Sequence, residues 1–461
     1  MSASAVTTVS RAIEDALAAA RADRSARAAK GALAVAVGLS GGRDSIVLLD
    51  ALAAAAPACD VSLSAVHVHH GLSPHADLWA EFCATACGAR GVALSVHRVR
   101  VDRAGGTGTE AAARGARYAA FETVAADFVA LAHHADDQAE TLLLQLLRGA
   151  GPHGLAAMPV VRPLNARVAL LRPLLALPAA MLAAYARARA LEWIDDDSNA
   201  DTSLRRNFLR REIVPRLRAA FPGYPATLAR AAFLQAEAAS LLDEVAALDA
   251  RAAAAAGDAL DRRAFAALAA RAPPRARNVL RGFLRQHGLR APSAARLDAM
   301  LRQLGDAAPD ARVRLLHDGA EIGIHRNRIL VHGAAIVPFV APWRGEPTLE
   351  LPHGKLEFAA VTGKGLAVAA VERSPVVVRP RAGGERIRIA ADRPRQTLKR
   401  LLQAAGIPEW QRNTLPLVWC GGALAAVPGI GVDAQFAAAP GERGLDVRWH
   451  PTSAAPPRAK D

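Results

Sequence analysis

Four short apolar runs recur roughly every thirty residues near the start of the chain: 32–39 (ALAVAVGL), 61–68 (VSLSAVHV), 92–99 (VALSVHRV) and 127–133 (DFVALAH). Each is followed by a stretch with helical patterning. Strands joined by crossovers of that length lie parallel, because a tight turn can only join antiparallel strands. Runs this apolar suit strands covered by helices on both faces. The first part of the chain is therefore expected to be α/β, a Rossmann-like parallel sheet. Helices are expected at 177–190 and 204–221, and Pro222 and Pro225 mark a boundary. From 226 to 305 the pattern is almost wholly helical and Ala-rich, ending in a hairpin at 321–333. Residues 335–375 are rich in Pro and Gly and carry no readable pattern. From about 376 a third unit begins, with VVVRPRAGGERIRI, a basic helix TLKRLLQAAG and short strands. The expected domains are 30–217, a helical middle domain at 226–334 and a small α+β domain at 376–450.

The 461 residues are 52% hydrophobic and only 4% aromatic, so the cores must rest on Leu, Val and Ala. Fifty-seven basic residues against 43 acidic ones give a net charge of +14, which suits a polyanionic partner such as nucleic acid. Only five of the basic residues are lysines, and arginine offers a planar fork for phosphate and base edges. The first 30 residues have no apolar core of a secretory signal, and no run of about 20 uncharged apolar residues could span a bilayer. The four cysteines include no C-x-x-C, and a reducing, cytoplasmic setting is expected.

The segment richest in chemistry is Ser40-Gly41-Gly42-Arg43-Asp44-Ser45, between the first strand and its helix. Two glycines allow a tight turn that brings backbone N–H groups against a phosphate chain, and the helix start adds its positive dipole end. Ser40 and Ser45 can donate hydroxyls. Asp44 is out of place in an anion cradle unless it grips Mg²⁺ that bridges the phosphates. No G-x-x-x-x-G-K-[ST] is present, which excludes a Walker-type site. Gly149–Gly154 matches G-x-G-x-x-G but follows a helix rather than a strand, so it reads as helix-terminating glycines. Asp136, Asp137 and Glu140 lie on one expected helix, with Asp137 and Glu140 on one face. Such carboxylates could receive an ammonium group, hold Mg²⁺, or only cap the helix. His133 and His134 with His67 and His69 could suggest a transition metal, but the H-x-H-H run at the strand end has no carboxylate nearby in sequence. Trp410 with Lys399, Arg400 and Arg412 forms a basic and aromatic cluster, suited either to RNA stacking or to a core.

The S-G-G-x-D-S loop resembles that of the PP-loop ATP pyrophosphatases. Within them, the chain is similar to the tRNA(Ile)-lysidine synthetases, through His67-Val68-His69-His70-Gly71-Leu72, His134-Ala135-Asp136-Asp137-Gln138-Ala139-Glu140-Thr141, Trp193-Ile194-Asp195-Asp196-Asp197-Ser198-Asn199 and Arg206-Asn207-Phe208-Leu209-Arg210. Leu398–Leu402 and Ile407–Arg412 resemble the family's terminal domain. The resemblance implies that ATP, with Mg²⁺, adenylates carbon 2 of the wobble cytidine in an isoleucine tRNA with a CAU anticodon. Free lysine then attacks and lysidine forms. It implies catalytic roles for Asp44, Asp137, Glu140, Arg114, Arg117 and Arg206, nucleotide binding by residues 40–45, and Mg²⁺ held by Asp44 and Asp136. The later domains would hold the tRNA. The alternatives are a tRNA thiolase of the same superfamily, which usually needs paired cysteines, and a non-catalytic protein that binds ATP and RNA.

Overall fold

The computed structural model describes residues 2–26, 31–101, 109–195, 205–253, 258–307, 313–333 and 338–451. The motif residues Asp196–Asn199 lie outside them. The chain divides near Leu241 into two compact units.

The first unit contains α1 (Ser2–Ala26), β1 (Leu33–Gly38), α2 (Arg43–Ala55), β2 (Val61–His69), α3 (Ala76–Gly88), β3 (Ala93–Arg98), α4 (Thr109–Glu122), β4 (Phe128–Ala130) and α5 (Ala135–Leu147). There follow α6 (Pro152–Leu155), β5 (Val161–Pro163), β6 (Ala169–Leu171), α7 (Ala179–Ala188), α8 (Arg205–Phe208), a π-helical turn (Leu209–Ile213) and α9 (Val214–Ala220). Helix α10 (Tyr224–Ala252) starts with Pro225 in its first turn, where a missing N–H costs nothing.

The sheet order is β3-β2-β1-β4-β6-β5. All pairings are parallel except β5 with β6. Val35, Ala36 and Val37 of β1 are fully buried, as a strand covered on both faces requires. One face packs against α1, α2, α3 and α7, and the other against Tyr118 and Phe121 of α4 and the neighbouring Val124. Helix α1 precedes the expected domain start at 30. Its Val9, Ile13, Leu17 and Ala20 fall on one helical face and complete the first core. Asp50 ties this face together: it accepts from Arg90 and Arg189 at 3.0 Å and from the Tyr185 hydroxyl at 2.9 Å.

From β1 the chain moves outward to β2 and β3, whereas β4 lies on β1's other side. The order therefore reverses between β1 and β4. In open α/β sheets that reversal leaves a crevice at the carboxyl ends of the strands, where ligands bind.

The second unit begins with a helical core from β7 (Leu260–Asp261), α11 (Arg262–Arg271), α12 (Pro273–Gln286) and α13 (Ala294–Gly305). Beside it lie β8 (Arg314–His317), β9 (Ala320–His325) and β10 (Arg328–Gly333). The expected hairpin is β9–β10. Then come β11 (Ala341–Trp343), β12 (Thr348–Leu351), β13 (Gly354–Thr362), β14 (Leu366–Ala367), α14 (Val368–Arg373), β15 (Val376–Arg379), β16 (Arg386–Ile387), β17 (Gln396–Thr397), α15 (Leu398–Ala404), α16 (Glu409–Thr414), β18 (Leu417–Cys420), β19 (Ala423–Val427), β20 (Gly431–Val432) and β21 (Arg443–Pro451).

The stretch 335–375 is thus not a featureless connection. β13 pairs along its whole length with β21, from Gly354↔Pro451 to Thr362↔Arg443. β11 pairs with β15. A chain ending at 375 will leave β13 without its partner and its apolar face uncovered. Limited proteolysis should cut such a chain within 338–375 and spare the same segment of the full chain. Equal resistance in both would show that β21 is dispensable.

Candidate active site

The loop after β1 and the turn before α5 meet at the β1/β4 crevice. Gly41 has φ +89°, a backbone region that favours glycine. A Cβ there would lie 3.2 Å from Ile194 and 3.4 Å from the Cys83 sulfur. Ser45 Oγ donates to the Gly42 carbonyl at 2.8 Å and lies 3.1 Å from Ser40 Oγ. The Gly41 carbonyl accepts from Ile194 N at 3.0 Å, which closes the loop from behind. Gly42 then caps α2, so the loop opens onto a helix N-terminus. Residues 40–45 thus form a tight, closed turn that places the start of α2 at the crevice.

Asp44 lies in the first turn of α2 and is partly exposed. Its Oδ1 accepts from Arg43 Nε at 2.9 Å, and its Oδ2 lies 3.5 Å from His134 Nε2. Burial pushes its carboxyl up, but His134 and Arg43 outweigh burial and hold it below the ordinary carboxylate value. The same His134 Nε2 lies 3.4 Å from Asp137 Oδ2. Burial lowers the His134 pKa, yet Asp44, Asp137 and Asp136 raise it above the ordinary histidine value. His134 is thus a hub between two carboxylates.

Asp137 also closes a capping box, accepting from the backbone N–H of His134 at 3.1 Å. Its other oxygen faces Arg206 Nη2 at 3.4 Å and Arg210 Nη2 at 3.2 Å. Glu140, one turn on and only 3% exposed, accepts from Arg206 Nε at 2.9 Å and Arg210 Nε at 2.7 Å. The two carboxylates share a face, as their spacing suggests, and two arginines bind that face. Asp136 Oδ2 lies 3.7 Å from His134 Nδ1. The same Oδ2 accepts from Ala179 N at 2.8 Å, and its Oδ1 faces Arg218 Nη2 at 3.3 Å and the Tyr224 hydroxyl at 3.5 Å. Both oxygens thus also tie the start of α5 to α7, α9 and α10.

Arg114 and Arg117 flank Tyr118 on α4. Their guanidinium carbons lie 5.4 and 6.0 Å from the ring centroid, and that of Arg162 lies 5.0 Å away. Burial pushes the phenol up, but Arg114, Arg162, Arg117 and Arg172 outweigh it and lower the pKa below 10. Arg162 and Arg172 went unnoticed in the sequence. The one signal was an arginine ending the short apolar run at 168–171.

In the second unit, Arg379, Arg386, Arg393, Arg395, Lys399 and Arg400 are all exposed. The β15–β16 turn between Arg379 and Arg386 is held by Glu385, which accepts from Ala382 N at 2.7 Å, Gly383 N at 2.6 Å and Arg381 Nε at 3.1 Å. Burial raises the Glu385 pKa, but these donors prevail and depress it. A depressed carboxyl contributes stability above its unfolded value, about 4.3, and loses it as pH falls through the folded one. Glu385→Gln is expected to cost about 1–3 kcal/mol at pH 7. The gap from the parent should close in melting curves taken down toward the folded pKa. A gap that persists in acid would remove the charge from this account.

Trp410 is half-buried and engaged by two histidines. It stacks on His332 (4.3 Å between centroids, 8° between planes) and meets His325 edge-on at 5.7 Å. Arg412 donates from Nε to the Ile407 carbonyl at 2.6 Å. Trp410 thus joins the hairpin β9–β10 to the terminal domain.

Residues 9–217 match the model of a PP-loop domain, 264–330 that of a TilS substrate binding domain, and 376–449 that of a TilS substrate C-terminal domain. The tRNA(Ile)-lysidine synthase of Nitrosomonas europaea is 43% identical over 425 residues, covering 90% of this chain and 92% of its own. That of an Azoarcus species is 44% identical over 419 residues, with the same coverage of both chains. Among solved structures, the U34-tRNA thiolase NcsA from Methanococcus maripaludis aligns at a TM-score of 0.42 and 18% identity, over 50% of this chain and 78% of that one. That likeness is too slight to bear on chemistry.

Proposed function

The chain belongs to the tRNA(Ile)-lysidine synthase family, by identity above 40% along nine-tenths of its length, and from that premise we propose how its residues divide the work. It is an ATP-using ligase that forms lysidine in tRNA(Ile). The substrates we assign are the wobble cytidine of the CAU anticodon and free L-lysine. The cytidine carbonyl oxygen attacks the α-phosphorus of ATP and pyrophosphate leaves. The ε-amine of lysine then attacks carbon 2, loses a proton, and AMP departs with the oxygen.

Residues Ser40, Gly41, Gly42, Arg43, Asp44 and Ser45 cradle the phosphates. Mg²⁺ fits this donor set, since it takes one or two carboxylates and completes its shell with phosphate oxygens and water. Asp44 and Asp137, which face the same imidazole nitrogen, are the carboxylates that would hold it. Bound there, it would offset phosphate charge. Arg114, Arg117 and Arg206 stabilise negative charge on the transferring group. Asp137 and Glu140 receive the lysine ammonium by exchange with Arg210, the more exposed of their two arginines. A carboxylate of this pair can take the amine proton.

Residues 30–217, together with α1, form the catalytic domain of this reading. Residues 226–334 and 376–450, with strands β11–β14, hold the tRNA, and their binding weakens with added salt. No helix among the described residues is long and apolar enough to cross a membrane. The cytoplasm is the workplace we assign. The observation that carries the proposal is the convergence of the S-G-G-x-D-S loop and the Asp137–Glu140 face at one crevice. The thiolase alternative finds no support in the cysteines: Cys83 and Cys87 are buried in α3, and burial pushes the Cys83 thiol up to about 12. Pyrophosphate release tests the reading. It should require tRNA, and its coupling to tRNA modification should require lysine. Release coupled to sulfur transfer would overturn it.

A further inference from the structure

Arg172 is 2% exposed. Nη1 donates to the Pro159 carbonyl at 2.7 Å, Nε donates to His133 Nδ1 at 3.3 Å, and the Tyr118 phenol is a further partner. Among the described residues no carboxylate pairs with it. A buried guanidinium with no carboxylate partner is costly unless its geometry serves something. What it visibly does is fix an imidazole. Arginine cannot accept a hydrogen bond, so Nδ1 of His133 must be the acceptor and Nε2 must carry the ring proton. Burial and the charges of Arg172, Arg206, Arg117 and Arg114 hold His133 well below its ordinary pKa, so the ring is neutral at pH 7. His133 remains partly accessible, at the end of β4 and next to the His134 hub.

We propose that His133, fixed as its Nε2–H tautomer by Arg172, donates a hydrogen bond to an α-phosphoryl oxygen of the bound nucleotide. The proposal rests on the adenylating function assigned above and deepens it. A neutral donor ringed by four cations calls for an anionic acceptor. The phosphoryl group is the anion that the neighbouring cradle would deliver. Arg172 is then a positioning residue, and His133 the group that touches the nucleotide.

Side-chain length gives the first test. In Gln the amide nitrogen reaches about as far as histidine Nε2, whereas in Asn it reaches only as far as Nδ1. Pyrophosphate release with tRNA and ATP should fall about tenfold to hundredfold in His133→Asn and His133→Ala, the worth of one charge-assisted hydrogen bond. His133→Gln should stay within a few-fold of the parent. The second test uses ATP with sulfur in place of one α-phosphoryl oxygen, each diastereomer separately. Sulfur accepts hydrogen bonds poorly, so one diastereomer should slow the parent more than it slows His133→Ala. A merely structural histidine would not produce that difference. Equal rates for the Asn and Gln variants, or the same sulfur effect in parent and His133→Ala, would overturn the assignment. If the unaltered chain released no pyrophosphate with tRNA, the proposed function itself would fall.

Discussion

Asp44→Ala will lower pyrophosphate release by at least about a hundredfold, the scale for losing one preorganised electrostatic contact to a transferring group. It will leave folding within about 0.5 kcal/mol of the parent, as expected for a side chain with no core packing. Asp44 sits in the first turn of α2, partly exposed, with its oxygens on Arg43 and His134. Its removal frees His134 from one carboxylate and leaves the phosphate cradle without the acid nearest to it. Steady-state pyrophosphate release and thermal melting on the same preparation measure both halves. A folded Asp44→Ala protein with near-normal release would remove this residue from the mechanism.

Glu140→Gln separates the two half-reactions. The substitution keeps the shape of a side chain that is 3% exposed and removes the charge that binds Arg206 and Arg210. If Glu140 receives the lysine ammonium, adenylated tRNA will still accumulate without lysine. The lysine concentration needed for product will rise about tenfold to hundredfold, corresponding to roughly 1.5–3 kcal/mol for one charge-assisted hydrogen bond. Loss of adenylation at every lysine concentration, with an unchanged lysine requirement, would instead make Glu140 a keeper of Arg206 for the first step. The structure sharpens this choice, because Arg206 bridges Glu140 and Asp137.

Local patterning made the parallel sheet legible. β1, β2 and β3 are apolar runs of six to nine residues, each followed by a helix of thirteen or fourteen. The phosphate cradle was legible for a similar reason: its glycines, hydroxyls and helix start are contiguous. What escaped notice depends on partners far away in sequence. β5 and β6 have three residues each, too few to show a period. β13 becomes a strand through β21, some ninety residues later. Asp136 could be told from Asp137 by helical spacing, but not its partners Ala179, Arg218 and Tyr224, 43 to 88 residues downstream. The stretch 2–26 lacked a secretory core, and its apolar stripe showed its purpose only against the sheet. Trp410 could have been core or RNA platform from composition alone; it is half-buried, and its stack on His332, some eighty residues earlier in the chain, was invisible from sequence.

The most direct test of the account is mass spectrometry of tRNA(Ile) bearing a CAU anticodon after incubation with the purified protein, ATP, Mg²⁺ and L-lysine. The account expects the wobble cytidine to gain the mass of one lysine less one water. That particular gain, as distinct from the mass of an adenylate, should be absent when ATP or lysine is withheld, and absent in the Asp44→Ala protein. An unmodified cytidine, or the lysine-minus-water gain persisting without lysine, would contradict it.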